Sequence, residues 1–357
     1  MGKNYLFTSE SVSEGHPDKM ADYIADLVLD ACLEQDSRSH VACEVLLSGN
    51  TAVVAGEITT RAEIDVRHIV HTVWPDCAII SRIQRQAPAL RATASKGAND
   101  QGIIVGYACT DTPELMPLPI MLAHRLTKRL AEVRKAGTLP YLRADGKAQV
   151  TVAYDGEFPV DVCNVVLSTE HDEEVSIEQL RADVRRKVID PVIIGEEVCA
   201  FINAQAGRFE VGGPVADSGL TGRKNVVDAY GPQVQIGGGS FSGKDPTKID
   251  RSGAYMARHI AKAVVASGMA ERVRIELAYC IGLKNPVAVS VDTFGTGDDA
   301  DIAAFVRAFP LHTEGIIEYL GLRKPIYAGT TLYGHFGKPG LPWECVAKTK
   351  KPLALSA

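Results

Sequence analysis

What this 357-residue chain lacks narrows its function before any motif does. No apolar run approaches the length of a bilayer span, and the N-terminus lacks the basic-then-apolar order of a secretory signal. Neither a membrane protein nor an exported one is therefore expected, and the cytoplasm is the default location. Positive charge is not in excess: 38 Lys and Arg stand against 44 Asp and Glu, a net charge of −6. That balance argues against a general nucleic-acid binder and confines any anion site to a local cluster of basic residues. The eight cysteines, at 32, 43, 77, 109, 163, 199, 280 and 345, never form a Cys-x-x-Cys pair, so neither a zinc site nor a disulfide framework is expected. They read as buried free thiols, Cys280 within Leu277-Ala278-Tyr279-Cys280-Ile281 among them. There is no Gly-x-Ser-x-Gly elbow and no setting for a cysteine nucleophile, which points to chemistry without an activated protein nucleophile.

What is present is an ordinary globular composition, 46% hydrophobic and 23% charged, in a chain long enough for two or three domains. Val41–Leu47 and Ala52–Ile58 read as strands joined by a tight turn at Ser48-Gly49-Asn50-Thr51. A helix over about 62–73 carries His68 and His71 on its surface, and a third strand runs from Cys77 to Ile83. A strand at Ile103–Cys109 precedes a long helix over 117–135 ending at Gly137; two strands and a helix opened by Ser176 and Gln179 follow. The recurring order of strand pair, helix and strand predicts an α+β fold built from a repeated unit, without a residue-level repeat.

The stretch Gly237-Gly238-Gly239-Ser240-Phe241-Ser242-Gly243-Lys244-Asp245-Pro246-Thr247-Lys248-Ile249-Asp250-Arg251-Ser252 combines loop glycines, lysines and aspartates, the equipment of a polyphosphate site. It nearly matches the P-loop, but Asp245 replaces the hydroxyl residue and Pro246 interrupts the helix start. The helix is expected to begin later, with Asp250 as its N-cap, and to add a dipole end to the site. A second Gly-rich run, Gly295-Thr296-Gly297-Asp298-Asp299-Ala300, has two carboxylates that would repel a pyrophosphate. Glu44 and Glu57 interrupt apolar strands, where a buried carboxylate needs a partner or a cation and a solvent-facing one needs neither.

The same mixture of glycine, base and acid recurs at His16/Asp18/Lys19, Asp145/Lys147, Asp217/Arg223/Lys224 and Lys244/Lys248/Asp250. Brought together, these groups supply charge for a triphosphate and carboxylates for Mg²⁺. From the residues alone the reading is an Mg²⁺-dependent enzyme acting on a nucleoside polyphosphate.

Four segments carry a resemblance: Gly15-His16-Pro17-Asp18-Lys19, Gly97-Ala98-Asn99-Asp100-Gln101-Gly102, Asp217-Ser218-Gly219-Leu220-Thr221-Gly222-Arg223-Lys224, and Gly237 through Ser252. Together, and in this order, they resemble the S-adenosylmethionine synthetase (methionine adenosyltransferase) family, with similarity from about Phe7 to Glu344. The resemblance implies attack of methionine sulfur on C5′ of ATP, then hydrolysis of the released triphosphate to phosphate and pyrophosphate. It implies that His16, Lys147, Arg223, Lys244 and Lys248 act in catalysis, and that Asp145, Phe209, Asp217 and Lys224 join them around ATP. Glu57, Gln86, Asp100, Asp217 and Lys248 would surround methionine, Asp18 and Asp250 would hold two Mg²⁺ ions per site, and Glu44 would hold K⁺. It further implies three interleaved α+β domains of similar topology, divided here at 1–96, 97–211 and 212–357. The assembly would be a homodimer or a dimer-of-dimers tetramer with active sites between subunits. The alternatives are a kinase or ATPase that cleaves at phosphorus, and a catalytically altered or regulatory paralogue. Compared with the family, the segment Ala87–Lys96 is short, Asn99 stands at a usual Gly, Ala204-Gln205-Ala206 replaces a Pro-Thr or Pro-Ser approach, and Ile236 replaces a His of some relatives.

Overall fold

The computed structural model of the protein describes residues 5–85, 97–195, 198–204 and 207–346. The first run holds β1 (Tyr5–Val12), α1 (Pro17–Gln35), β2 (His40–Ser48), β3 (Thr51–Thr59), α2 (Val66–Val73) and β4 (Ala78–Gln84). The second, taken together with the short stretch 198–204, holds β5 (Gly102–Cys109), α3 (Leu118–Lys135), β6 (Leu142–Asp155), β7 (Phe158–His171), α4 (Ile177–Val184) and β8 (Cys199–Ile202). The third holds α5 (Gly213–Ala216), β9 (Gly219–Leu220), α6 (Asn225–Asp228), α7 (Ile249–Ala266), β10 (Arg272–Tyr279), β11 (Ala288–Asp292), α8 (Asp299–Arg307) and α9 (Thr313–Leu320).

Each run contributes a long helix followed by an antiparallel hairpin, β2–β3, β6–β7 or β10–β11. In the first two runs a further helix leads to a strand that returns parallel to the hairpin, β4 on β3 and β8 on β7. The strand before each long helix does not join its own hairpin. Instead β1 pairs with β6, β5 with β10 and β9 with β2, all antiparallel, so the three runs pass one strand round a closed circle. The fold is therefore α+β with three interleaved units in a pseudo-threefold arrangement. None of the three sheets, β1-β6-β7-β8, β11-β10-β5 and β4-β3-β2-β9, consists of one stretch of sequence.

Period-two patterning explains the hairpins. Along β2, Val41, Cys43, Val45 and Leu47 point inward and are buried, while Glu44, Leu46 and Ser48 point out. One core joins α1, α7 and the sheets containing β2 and β10; another lies between α3 and the β6–β7 sheet. Helix α3 bridges them, placing Ile120 and Met121 in the first and Leu122, Ala123 and Leu126 in the second.

Several starts and stops fall where local chemistry puts them. Ser176 accepts from Gln179 N at 3.1 Å, and Gly137 takes φ +66° beyond α3. Three expectations need correction. Helix α2 begins only after Asp65, whose side chain accepts from His68 N at 3.0 Å. Helix α7 has Lys248, not Asp250, at its N-cap, and Asp250 sits within the first turn. All eight cysteines are free, but only 32, 43, 77 and 109 are buried; Cys280 is half-buried and Cys199 and Cys345 are exposed. The run at 295–300 serves as a helix start, with Asp298 accepting from Ala300 N and Asp301 N. Among the described residues no helix is long and apolar enough to cross a membrane.

Candidate active site

The first group of candidate residues gathers at the start of α1. His16 is the N-cap and its Nδ1 accepts from Asp18 N at 3.2 Å. Burial first, then the charges of Lys224 and Lys147, push its pKa down to about 4. The ring is therefore neutral at pH 7, and with Nδ1 accepting, its proton lies on Nε2. Pro17 pre-sets the first helical turn. Gly15 carries no side chain because a Cβ there would lie 2.4 Å from that of Ala144. This close approach, with Gly15 N donating to Ala144 O at 3.1 Å, sets β6 against the start of α1, so that the charge of Lys147 reaches His16.

Asp18 is buried, and each of its oxygens accepts a hydrogen bond. Oδ1 accepts from Leu220 N at 3.0 Å, and Oδ2 from Lys224 Nζ at 2.6 Å. Burial works to raise its pKa, but the Lys224 and Leu220 hydrogen bonds hold it below the ordinary value. Arg223 is exposed, with Nη1 3.5 Å from Asp18 Oδ1 and donating to Ser218 O at 3.1 Å. Asp145 is buried and accepts from Gly213 N at 2.9 Å; burial pushes its carboxyl up while that N–H opposes. Phe209 is half-buried, with its N–H donating to His171 Nε2 at 3.1 Å. Asp217 is exposed and reaches His16 through its charge.

A second group lies where the Gly-rich stretch meets β2. Lys244 Nζ donates to Asp250 Oδ2 at 2.6 Å, and Lys248 Nζ donates to Asp245 Oδ2 at 3.2 Å. Asp245, the residue that breaks the P-loop pattern, is fully buried and accepts from Val41 N at 2.7 Å, so it anchors the loop to β2. Glu44 and Glu57 lie on one face of the hairpin, Glu44 opposite Ala55 and Glu57 opposite Ala42. Glu44 faces solvent and Glu57 is half-buried, so of the two readings left open the solvent-facing one holds for Glu44. The crowded surroundings of Glu44 still raise its pKa, with Lys244 opposing. Asp100 is exposed and accepts from Gln101 N at 2.8 Å. Gln86 and the segment 87–96 lie outside the described residues.

Residues 4–88, 95–209 and 211–345 match the N-terminal, central and C-terminal domain families of S-adenosylmethionine synthetase. The chain belongs to the S-adenosylmethionine synthetase family. It is 47% identical to the S-adenosylmethionine synthase of Desulfosudis oleivorans over 96% of both chains. It is 48% identical to that of Thermus thermophilus over 95% of both, and 47% identical to that of Desulforudis audaxviator over 97% of both.

In this family member the Gly-rich stretch is not a free cradle. A Cβ on Gly237 would lie 1.7 Å from Ile103 O, one on Gly239 2.4 Å from the Asp250 carboxylate, and one on Gly243, at φ +78°, 2.0 Å from Cys43 O. These three glycines let the loop lie against protein. Only Gly238 of the opening triplet has open space around it.

The residues that sequence reasoning missed are Asp22, Asp26 and Arg251. Asp18, Asp22, Asp26 and Asp30 form a ladder of four aspartates at helical spacing along α1, with Arg251 paired to Asp26, and that spacing was the available signal. Asp22 accepts from Gly222 N at 2.9 Å, and Asp26 from Gly243 N at 2.8 Å. Asp30 accepts from Ala328 N at 2.8 Å. One helix thus pins both the loop at Gly222 and the loop at Gly243. Asn99, the departure from the usual Gly, secures the start of α7. Its Oδ1 accepts from Ile249 N at 2.8 Å and caps that helix, whose own N-cap side chain makes no such bond.

Among the described residues no group of three or more His, Cys, Asp or Glu could hold a metal ion. Asp18 and Asp250 instead offer single hard-oxygen ligands beside lysines. This donor set fits a cation such as Mg²⁺, which keeps waters and substrate phosphates as its remaining ligands.

Proposed function

We propose that the chain forms S-adenosyl-L-methionine from L-methionine and ATP, as a methionine adenosyltransferase. The observation that carries this reading is the convergence of neutral His16, Asp18, Arg223 and Lys224 at one helix start in a chain matching the family along its length. The methionine sulfur lone pair forms the S–C5′ bond. The C5′–O bond breaks, its electron pair leaves with the triphosphate, and the sulfonium carries the new positive charge. A thioether needs no deprotonation, so a catalytic base is not required for this step.

The protein's contribution is alignment and neutralisation of the leaving group. His16 directs its Nε2 proton toward the departing oxygen, and Lys147, Arg223, Lys224, Lys244 and Lys248 draw the phosphate oxygens. Asp145 and Phe209 face the adenosine, while Glu57, Gln86, Asp100 and Asp217 surround methionine. Asp18 and Asp250 would hold two Mg²⁺ ions and Glu44 a K⁺; bound there, these cations neutralise the triphosphate charge. Water then cleaves the triphosphate to phosphate and pyrophosphate. The same reading divides the chain at 1–96, 97–211 and 212–357, and places it in the cytoplasm. It makes the working form a homodimer or dimer-of-dimers tetramer with shared sites.

Incubation of the full chain with ATP, methionine, Mg²⁺ and K⁺ tests the reading, with all products quantified. A sulfonium nucleoside with equal phosphate and pyrophosphate is expected. ADP as the product would replace it with a phosphorus-cleaving kinase or ATPase, and absence of all three products with a non-catalytic paralogue.

A further inference from the structure

Two of the ion pairs in the site are close contacts between groups that the proposed function assigns to different partners. Lys224 Nζ lies 2.6 Å from Asp18 Oδ2, with side-chain exposures of 15% and 2%. Lys244 Nζ lies 2.6 Å from Asp250 Oδ2, with exposures of 19% and 20%. The lysines are the proposed triphosphate ligands and the aspartates the proposed metal ligands, so in each pair a phosphate ligand and a metal ligand occupy one another. A divalent cation approaching either carboxylate meets an ammonium on the same oxygen, and a triphosphate approaching either lysine meets a carboxylate.

We propose that Lys224 and Lys244 hold the metal positions in the ligand-free protein, and that both pairs exchange partners when a divalent cation and a triphosphate arrive together. Without the lysine, the buried Asp18 carboxylate would keep Leu220 N and the more distant Arg223 on Oδ1 but lose the cation in contact with Oδ2, which is costly in that position. When the two ligands come together, each lysine passes to a phosphate oxygen as each aspartate passes to the cation, and no group is left alone. The exchange makes the two ligands mutually dependent: the cation alone competes with an ammonium, the triphosphate alone with a carboxylate, and each removes the other's competitor. This inference rests on the proposed residue roles and adds an order to them.

Binding measurements on the full chain, without methionine or turnover, test it. Mn²⁺ alone is titrated by electron paramagnetic resonance, and inorganic tripolyphosphate alone by calorimetry. Wild type is compared with Lys224→Met and Lys244→Met, which keep the apolar stem, and circular dichroism verifies the fold. Each variant should bind Mn²⁺ alone about tenfold more tightly, and tripolyphosphate about tenfold more weakly. In wild type, with the Mn²⁺–tripolyphosphate formation constant in free solution measured separately and subtracted, the two together should still bind more tightly than their separate affinities predict, by on the order of tenfold, which remains measurable if a variant does not fold. Weaker tripolyphosphate binding with unchanged or weakened Mn²⁺ binding would overturn the exchange while leaving the residue roles standing. Unchanged tripolyphosphate binding in both variants would overturn the residue roles themselves, and the exchange with them.

Discussion

Replacing Asp26 by Asn tests the centre of the α1 ladder. Asp26 and Arg251 are both fully buried; Arg251 Nη1 donates to Asp26 Oδ1 at 2.7 Å and Nη2 to Oδ2 at 2.6 Å. The remaining Arg251 contacts are neutral: Lys244 O at 3.1 Å, Thr330 Oγ1 at 3.3 Å, Tyr255 OH at 3.0 Å and the Tyr327 ring at 4.3 Å. Asn keeps the shape and can still accept from Gly243 N, but it leaves the guanidinium without a counter-charge in contact, Asp30 acting on it only through space. Breaking such a pair from one side costs about 3–5 kcal/mol, a large part of the roughly 5–15 kcal/mol that holds a typical domain together. Urea unfolding followed by fluorescence and circular dichroism should show that loss as a lower midpoint. Removing both charges, as Asp26→Leu with Arg251→Met, should recover most of it, because the pair repays little more than its own desolvation. A cost below about 1 kcal/mol for Asp26→Asn would refute the reasoning, since the guanidinium would then have its balance elsewhere.

Other perturbations separate packing from chemistry. Gly237→Ala should destabilise by roughly 1–3 kcal/mol, because its Cβ meets backbone, whereas Gly238→Ala should stay within about 0.5 kcal/mol in the same urea assay; equal losses would contradict the packing role. Lys147→Ala, at an exposed strand position, should lower S-adenosylmethionine formation by on the order of tenfold or more with the urea midpoint unchanged; near-normal turnover would remove Lys147 from the site. His124 is buried, and burial with Lys338 and Lys19 pushes its pKa down to about 3. The unfolded chain therefore takes up this proton first: the stabilisation is complete above about pH 6.5, falls as pH drops toward 3, and is roughly 2 kcal/mol smaller at pH 5. His124→Gln should lose less stability than wild type between pH 7 and 5, and an identical pH dependence would exclude His124 as a source.

Much of this molecule was legible before its structure. The hairpin at Ser48–Thr51, the Ser176 cap and the end of α3 at Gly137 follow from side-chain period, capping and backbone freedom, all short-range effects. The four charged motifs were sufficient to point to the family. Local rules also explain the errors. Asp250 looked like an N-cap because Asp commonly is one, yet Asn99, far away in sequence, caps that helix. For Glu44 the sequence left burial and exposure both open, and the alternation of β2 turns it to solvent.

The sequence by itself determined the elements, the family and the inventory of charges, because each depends on residue type and near spacing. Only the tertiary structure decided which strands are exchanged, which glycines are packed against protein and which charges are already spoken for. Lys224 and Asp18 are 206 residues apart, and Arg251 and Asp26 are 225 apart. No local period encodes such pairs; the circle of strand exchanges and the ladder on α1 bring them together, and burial then sets what each charge can do.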